Sequence, residues 1–314
     1  MTTKVKIGTF NVENLFNRYK LLDYERGSPA KKKPIDPEKF VEEGGHINML
    51  GWSIDDFGPI SKSARRATAA VILENHPDIL AIQEVENLFA LLAFNREWLD
   101  NLYPYAMVID GNDMRQIDVG ILSKYPLLNI RTHRFEPQGS TPWQRTFSRD
   151  CLEVDLGISK GKMLTILINH FKSKIGGGAD KRKRQSERVA EILKDRFGEG
   201  LSGNFIVAGD FNDHYDSPDL QSLLGLHGLE NVVKQRLPKN EHWTHYYKKG
   251  KVAEQLDYLL VSPDLCEKNR TAEPYIERRG LGTDIDYFKG DRFQQVKGAE
   301  GASDHCAVFI SLEI

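Results

Sequence analysis

Short apolar segments alternate along this chain with segments that have helical spacing. Residues 5–10 alternate apolar and polar side chains and predict a strand, and the apolar run at 79–82 predicts a short buried strand. Further strands are predicted at 105–109, 118–122, 151–156, 163–168, 205–208, 256–261 and 306–312. Helices are predicted over 61–75 and 181–197, the second of them basic. This alternation favours a layered α/β fold.

The organisation of the chain predicts one domain over residues 1–314. Residues 17–60 are rich in glycine, proline and charge, and they read as an irregular insertion. The strands at 151–156 and 163–168 are expected to pair across the turn at 159–161. We find no internal repeat and no low-complexity segment.

Charge and cysteine content restrict the classes of function. The formal net charge of −2 argues against a protein that grips long stretches of DNA, so any nucleic-acid contact is expected to be local. Two basic clusters, 31–33 and 181–184, offer such contacts. The three cysteines have no CxxC spacing, which argues against a disulfide framework or a thiolate metal site and predicts buried thiols.

The first residues and the apolar runs of the chain were compared with targeting and membrane signals. The first residues, MTTKVKIGTF, lack the apolar core of a signal peptide, and no apolar run has the length of a membrane span. We therefore expect a cytoplasmic protein, with a secreted protein whose signal has been removed as the alternative. We also expect a monomer.

Polar side chains with catalytic potential lie at the ends of the predicted strands. They are Asn11, Glu84, His170, Asp210, Asn212, Asp304 and His305. Since strand ends in a layered fold converge on one rim, we expect these residues to build a single site. A carboxylate such as Glu84 suits a hard divalent cation. Asp257 lies within the apolar stretch QLDYLLV, where a carboxylate needs a partner.

Six segments, taken together, resemble the endonuclease/exonuclease/phosphatase superfamily. They are TFNVENLF at 9–16, IQEVEN at 82–87, NHFKSK at 169–174, GDFND at 209–213, HWTHYY with QLDYLLVS up to 262, and SDH at 303–305. This superfamily includes pancreatic-type deoxyribonuclease, exonuclease III-like apurinic endonucleases, neutral sphingomyelinases and inositol-polyphosphate 5-phosphatases. The resemblance implies a four-layer α-β-β-α sandwich of two mixed, mainly antiparallel sheets with helices outside.

The resemblance also implies roles for individual residues. Glu84 would be the principal metal ligand, with Asn11 and Asp304 nearby. Asp210 would orient or deprotonate the attacking water, and Asn212 would hold a phosphate oxygen. His305 would contact the phosphate and would be oriented by Asp257. Arg149 would neutralise the charge of the phosphate.

Two positions depart from the apurinic endonucleases. His170 stands where that branch has tyrosine. A histidine at this position is similar to the deoxyribonuclease, sphingomyelinase and phosphatase branches. Glu13 stands where it has an aspartate near the metal, so Glu13 is either a second ligand or a solvated residue. We predict an Asp257–His305 hydrogen bond, and a carboxylate for His170, with Asp118 as the candidate. The GNDMRQIDVG run and the NHFKSK loop are most similar to a bacterial nuclease-type branch.

These residues and the resemblance predict a metal-dependent phosphodiesterase, a nuclease that hydrolyses DNA, with RNA as the other nucleic-acid substrate. An oxygen-rich site favours one principal Mg²⁺ or Mn²⁺ ion, with a second ion possible. Lys172, Lys174, the 181–184 cluster, Trp143 and Trp243 are candidate nucleic-acid contacts. The first alternative is a phosphatase or phospholipase-type enzyme acting on a small ester such as an inositol phosphate or sphingomyelin. The second is a non-catalytic binding module, against which the presence of all six segments argues.

Overall fold

The architecture is known from a computed structural model that describes residues 2–15, 19–21, 57–59, 62–113, 115–139, 141–174, 177–247, 249–281 and 301–314. The strands are β1 Lys4–Leu15, β2 Tyr19–Leu21, β3 Phe57–Pro59, β4 Ile79–Val85, β5 Tyr105–Val108, β6 Asp118–Ser123, β7 Leu127–Arg131, β8 Pro137–Gln138, β9 Thr141–Arg145, β10 Cys151–Ser159, β11 Lys162–His170, β12 Phe205–Asp210, β13 Glu230–Asn231, β14 His245–Tyr247, β15 Val252–Glu254, β16 Asp257–Val261, β17 Tyr275–Glu277 and β18 Ala307–Glu313. The α-helices are α1 Lys62–Asn75, α2 Leu88–Trp98, α3 Ala179–Phe197, α4 Gln221–Leu224, α5 Val232–Arg236 and α6 Pro263–Lys268. Short 3-10 helices span Pro218–Leu220 and Lys239–Glu241.

Two six-stranded sheets form the centre of the fold. The first has the order β17-β18-β1-β4-β6-β5, and the second has the order β13-β16-β12-β11-β10-β7. Each sheet contains one parallel pair, β1 with β4 and β11 with β12, and its other pairings are antiparallel. Both sheets are therefore mixed and mainly antiparallel, as the resemblance implied.

The inner faces of the two sheets pack on each other. Ile7 and Ala81 of the first sheet belong to the same buried cluster as Val154 and Ile166 of the second. The outer faces are also buried, which explains why these strands are apolar on both sides rather than strictly alternating.

Helices cover both outer faces and complete four layers. Val71 of α1 and Phe94 of α2 pack with Leu80 on the first sheet. Leu193 of α3 packs with Leu167 on the second sheet. The predicted α-β-β-α sandwich is confirmed. Among the described residues, no helix combines the length and the apolar composition that crossing a bilayer requires.

Each of the strands and helices predicted from periodicity is present, with boundaries shifted by a few residues. The sequence did not reveal α2, whose start is marked by Asn87, the side chain of which accepts a hydrogen bond from the Ala90 amide at 2.9 Å. Most of the predicted insertion, including the basic cluster at 31–33, lies outside the described residues. Cys151, Cys266 and Cys306 are free, and Cys151 and Cys306 are buried.

Candidate active site

The predicted site residues meet at one edge of the two sheets. Since β1 and β4 are parallel, their carboxyl ends carry Asn11 and Glu84 to the same edge, and the parallel pair β11 and β12 does the same for His170 and Asp210. Antiparallel β16 begins at this edge, so that Asp257 lies opposite Asp210 in the register. The topology of both sheets therefore explains why distant segments converge.

The backbone at these strand ends departs from regular strand geometry. Glu84 has a φ angle of 67° and interrupts the register between β4 and β6, while Asn212 has a φ of 53°. Left-handed backbone is uncommon for residues other than glycine, and bulges re-aim side chains at functional edges. Gly209 is required beside Asp210, because a Cβ atom there would lie 1.9 Å from the Asn169 carbonyl oxygen.

Asp210 is the centre of the site. Its Oδ2 atom accepts hydrogen bonds from the Asn11 amide at 3.1 Å and the Asn212 amide at 2.9 Å. The same oxygen lies 3.4 Å from His170 Nε2 and 3.9 Å from His305 Nε2. Burial alone would raise the pKa of Asp210, but the nearby charges of His305 and His170 outweigh it and hold the pKa below its usual range.

His305 is held by a buried aspartate. Its Nδ1 atom lies 2.9 Å from Asp257 Oδ2, which confirms the predicted hydrogen bond, and Asp257 is 0% exposed. The Thr244 hydroxyl donates to the same carboxylate oxygen at 2.6 Å. Burial alone would lower the pKa of His305, but the charges of Asp257 and Asp210 raise it well above its usual value. The Nε2 atom is left facing Asp210.

His170 does not pair with Asp118, so that prediction is wrong. His170 Nδ1 has no hydrogen-bond partner among the described residues, and Asp118 Oδ1 accepts the Gly111 amide at 2.8 Å instead. The two residues belong to different sheets, and the carboxylate beside His170 is Asp210. Burial and the charge of Arg149 lower the pKa of His170. Burial raises the pKa of Asp118 to about 7.

The four predicted metal ligands divide into two pairs. The Asn11 amide donates to Glu84 Oε1 at 3.3 Å, and Glu13 Oε2 accepts the Asp304 amide at 3.1 Å. Glu13 is thus a link to the backbone of the SDH segment rather than a solvated residue. The compact groups of metal-binding side chains found in the described residues are His245, Asp304 and His305, and Asp210, Asp257 and His305. Neither group includes Glu84.

Arg149 is almost fully buried, with 2% of its surface exposed. One of its guanidinium nitrogens contacts Asp113 at 3.1 Å, and another donates to the Phe171 carbonyl at 3.1 Å. The Phe171 carbonyl also accepts a hydrogen bond from Asn212 at 3.2 Å. Arg149 therefore lies directly behind the His170 strand end, and its charge reaches Glu84 and Asp210.

Sequence reasoning missed three groups at this edge. Thr244 orients Asp257, and His245 places its ring centroid 4.8 Å from that of His305. Burial and the charge of His305 lower the pKa of His245 to about 3. Both residues lie in the HWTHYY segment, which was identified without roles for its members. Arg115 binds Asp113 through two nitrogens, and the GNDMRQIDVG motif was the available signal.

The candidate nucleic-acid contacts are only partly arranged as predicted. Arg182 is buried and binds Asp213 at 3.1 Å and Asp219 at 3.0 Å, so it anchors α3 instead of facing a ligand. Lys183 is exposed, which fits a solvated helix face. Trp243 packs against the core with the Arg278 guanidinium 4.3 Å from its ring, which leaves it unsuited to base stacking on that face. The side chain of Trp143, the other candidate, lies outside the part of the chain that the structure describes.

Comparison with known proteins identifies relatives of this chain. A sequence profile of the Endonuclease/Exonuclease/phosphatase family matches residues 8–305, which span all six segments. The chain belongs to this family. Members of the Endonuclease/Exonuclease/phosphatase family hydrolyse phosphate esters and use divalent metal ions. No curated protein sequence matches the chain significantly.

Several solved structures have the same fold as this chain, although their sequences are only distantly similar to it. Truncated TDP2 of Caenorhabditis elegans is 16% identical, with a TM-score of 0.62 over 99% of this chain and 98% of that one. An endonuclease/exonuclease/phosphatase of Bacteroides vulgatus is 16% identical, with a TM-score of 0.59 over 99% of both chains. Beta toxin of Staphylococcus aureus is 14% identical, with a TM-score of 0.59 over 98% of this chain and 99% of that one. At these identities the likeness concerns the fold alone.

Proposed function

We propose that this protein is a divalent-metal-dependent phosphodiesterase that cleaves nucleic acid. The proposal rests on the side chains that surround Asp210. One oxygen of this buried carboxylate lies within 4 Å of the Nε2 atoms of two histidines that come from different segments. Two amide side chains bind the same oxygen. A phosphate diester needs a positioned water, positive charge and a proton donor, and this group of side chains can supply them.

The donor chemistry of the site fits a hard cation. Glu84 offers a carboxylate whose side chain is 18% exposed, so it is accessible to an ion from the cleft. Asn11 is adjacent, and no thiol is among the described residues of the site. Because Mg²⁺ is usually held by one or two carboxylates plus water and substrate phosphate, Glu84 with Asn11 would suffice, and Asp304 is a further carboxylate. When bound, Mg²⁺ or Mn²⁺ would polarise a non-bridging phosphate oxygen.

The protein's own residues divide the remaining work. Asp210 already accepts several hydrogen bonds, so it is better suited to orienting the attacking water than to removing its proton. Asp257 and Thr244 fix the His305 ring so that Nε2 faces Asp210, beside which the phosphate would lie. The Asn212 amide donates to Asp210 and to the Phe171 carbonyl, so it would exchange one of these hydrogen bonds for one to a phosphate oxygen of the substrate. Arg149 adds positive charge from beneath, where burial strengthens its effect.

Local positive charge supports a nucleic acid as the substrate. Lys172 lies two residues after His170, and Lys181 lies in the first turn of α3. Lys174 contributes less, because its ammonium group is paired with Asp213 at 3.2 Å and with Glu254 at 3.0 Å. Cleavage of an inositol phosphate or another small ester by the same site is the alternative outcome of the test below.

A substrate panel separates these outcomes. Plasmid DNA, single-stranded DNA, RNA, bis-p-nitrophenyl phosphate and inositol phosphates would each be incubated with Mg²⁺, Mn²⁺ or EDTA. We expect metal-dependent cleavage of a nucleic acid, and a loss of roughly 10² to 10⁴ in rate for His305→Gln. His227→Gln is the matched control, because His227 is exposed. Cleavage of the inositol phosphates alone, or activity that persists in EDTA, would reject the proposal.

A further inference from the structure

A cluster of cations lies beside the catalytic residues and is not explained by attack on a single phosphate. Asp113 binds two arginines at once. Arg115 donates to it through Nε at 3.1 Å and Nη2 at 2.9 Å, and Arg149 contacts it at 3.1 Å. One carboxylate thus holds two guanidinium groups side by side.

The loop that carries Asp113 and Arg115 is fitted closely against Arg149. The Gly111 amide donates to Asp118, and a Cβ atom at Gly111 would lie 2.7 Å from the Arg149 Cα atom. Asn112 donates its backbone amide to the Ser148 carbonyl at 2.8 Å. Only glycine allows the loop backbone to lie this close to Arg149. The packing of the loop therefore fixes the position of Arg115.

Two lysines extend the cluster on its other side. Lys172 follows Phe171, whose carbonyl binds Arg149, and its own carbonyl accepts a hydrogen bond from Arg182 at 3.2 Å. Lys181 lies in the first turn of α3, and the start of this helix packs on Lys172, since a Cβ atom at Gly178 would lie 2.7 Å from the Lys172 Cγ atom. Burial and the charges of Arg149 and Arg115 lower the pKa of Lys172, while burial and the charges of Arg149 and Lys172 lower that of Lys181. These cations repel one another, and a bound anion would relieve the repulsion.

The cluster is both accessible and close to the chemistry. The Arg115 side chain is 39% exposed, whereas the Arg149 side chain is 2% exposed. Arg149 shares the Phe171 carbonyl with Asn212, which in turn binds Asp210, so the pair of arginines adjoins the catalytic residues. A phosphate seated here would therefore be a neighbour of the reacting phosphate rather than the reacting group itself.

We propose that Arg115, Lys172 and Lys181 form a second phosphate subsite next to the catalytic one. Its ligand is a second phosphate group of the same substrate, either a neighbouring phosphodiester of a polynucleotide or a terminal phosphomonoester. The inference rests on the proposed function, and it adds a preference for substrates with more than one phosphate. Arginine and lysine are the side chains that hold phosphate most strongly.

Thymidine oligonucleotides test this directly. The dinucleotide TpT has one phosphate, pTpT adds a terminal monoester and TpTpT adds a second diester. For the wild-type protein with Mn²⁺, we expect kcat/KM for pTpT or TpTpT to exceed that for TpT by at least about tenfold, well above the twofold statistical factor for TpTpT. A preference for pTpT identifies the monoester as the ligand, and equal preference for both identifies any second phosphate.

Substitutions assign the preference to the subsite. Arg115→Gln and Lys172→Gln should each reduce the ratio of the two kcat/KM values by about tenfold. The matched controls Lys183→Gln and Arg270→Gln, at exposed positions, should leave the ratio unchanged. Equal rates for all three oligonucleotides in the wild type, or an unchanged ratio in both subsite variants, would overturn the inference while leaving the phosphodiesterase proposal intact.

A binding measurement without metal separates the two proposals further. Thymidine 3′,5′-bisphosphate would be titrated calorimetrically into each protein in EDTA, after thermal unfolding has shown that the variants are folded. The subsite predicts affinity that falls about tenfold in Arg115→Gln and not in Arg270→Gln. Equal affinity in these two variants contradicts the subsite. Failure of the wild type to cleave any of the oligonucleotides would instead reject the proposed function.

Discussion

The hydrogen bond between Asp257 and His305 allows a sharp test of the proposed chemistry. Asp257→Asn keeps the shape of a side chain that is 0% exposed but removes its charge. His305 Nδ1, now 2.9 Å from a carboxylate oxygen, would then face a neutral amide. If the amide oxygen of the new side chain faces His305 Nδ1, it accepts a weaker hydrogen bond than the carboxylate did. If the amide nitrogen faces Nδ1, it donates its own hydrogen, so Nδ1 can no longer carry a proton. Either arrangement weakens control of the proton at Nε2.

The size of the effect follows from that single contact. A hydrogen bond to a charged group contributes about 1.5–3 kcal/mol, and each 1.4 kcal/mol or so corresponds to a tenfold change in rate. Loss of the bond alone therefore costs on the order of 10- to 150-fold. Misorientation of the ring adds to this loss, so we expect kcat/KM to fall by roughly 10² to 10³.

The assay is cleavage of the best substrate of the panel with Mn²⁺, together with thermal unfolding. The matched control is Asp155→Asn, because Asp155 is also buried in a strand, where it binds Thr165 at 2.7 Å, and is part of the network beneath α3. Asp155→Asn should lower the melting temperature and leave kcat/KM near the wild-type value. If Asp257→Asn is folded and retains more than about a third of the wild-type rate, the proposed role of the pair is wrong.

Three further changes test other parts of the structure. Glu84→Gln should weaken Mn²⁺ binding by at least about tenfold in calorimetry, whereas the exposed control Glu97→Gln should not; unchanged affinity would remove Glu84 from the metal site. Arg182→Gln should lower the melting temperature by several degrees, since it removes the buried cation shared by Asp213 and Asp219, and an equal effect of Lys183→Gln would refute this explanation. Asp118 has a folded pKa of about 7, above its unfolded value, so its contribution to stability is present below about pH 4 and is lost as the pH rises through 7. Asp118→Asn should therefore gain on the order of 3 kcal/mol relative to wild type between pH 4 and pH 8 in denaturant titrations, and a constant difference would contradict the assignment.

The sequence by itself determined the elements and most members of the candidate site. Hydrophobic periodicity located the long strands and the two longest helices, because burial on a sheet or a helix imposes a spacing that survives in one dimension. The cost of an unpaired buried carboxylate was enough to predict a partner for Asp257, and the structure supplies His305. Polar residues after apolar strands likewise marked Asn11, Glu84, His170 and Asp210 as neighbours.

Only the tertiary structure decided which neighbour each group meets. Asp118 and His170 both lie at strand ends, but the register of β11 and β12 sets Asp210 opposite His170, and the Gly111 amide binds Asp118 instead. The 181–184 cluster appears uniform in sequence, yet Arg182 turns inward to two aspartates while Lys183 faces solvent. The partnership of Arg115 and Arg149 through Asp113 joins the loop before β6 to the loop before β10. Charge type and spacing are local properties, whereas pairing depends on register, on sheet order and on the backbone turns that aim each side chain.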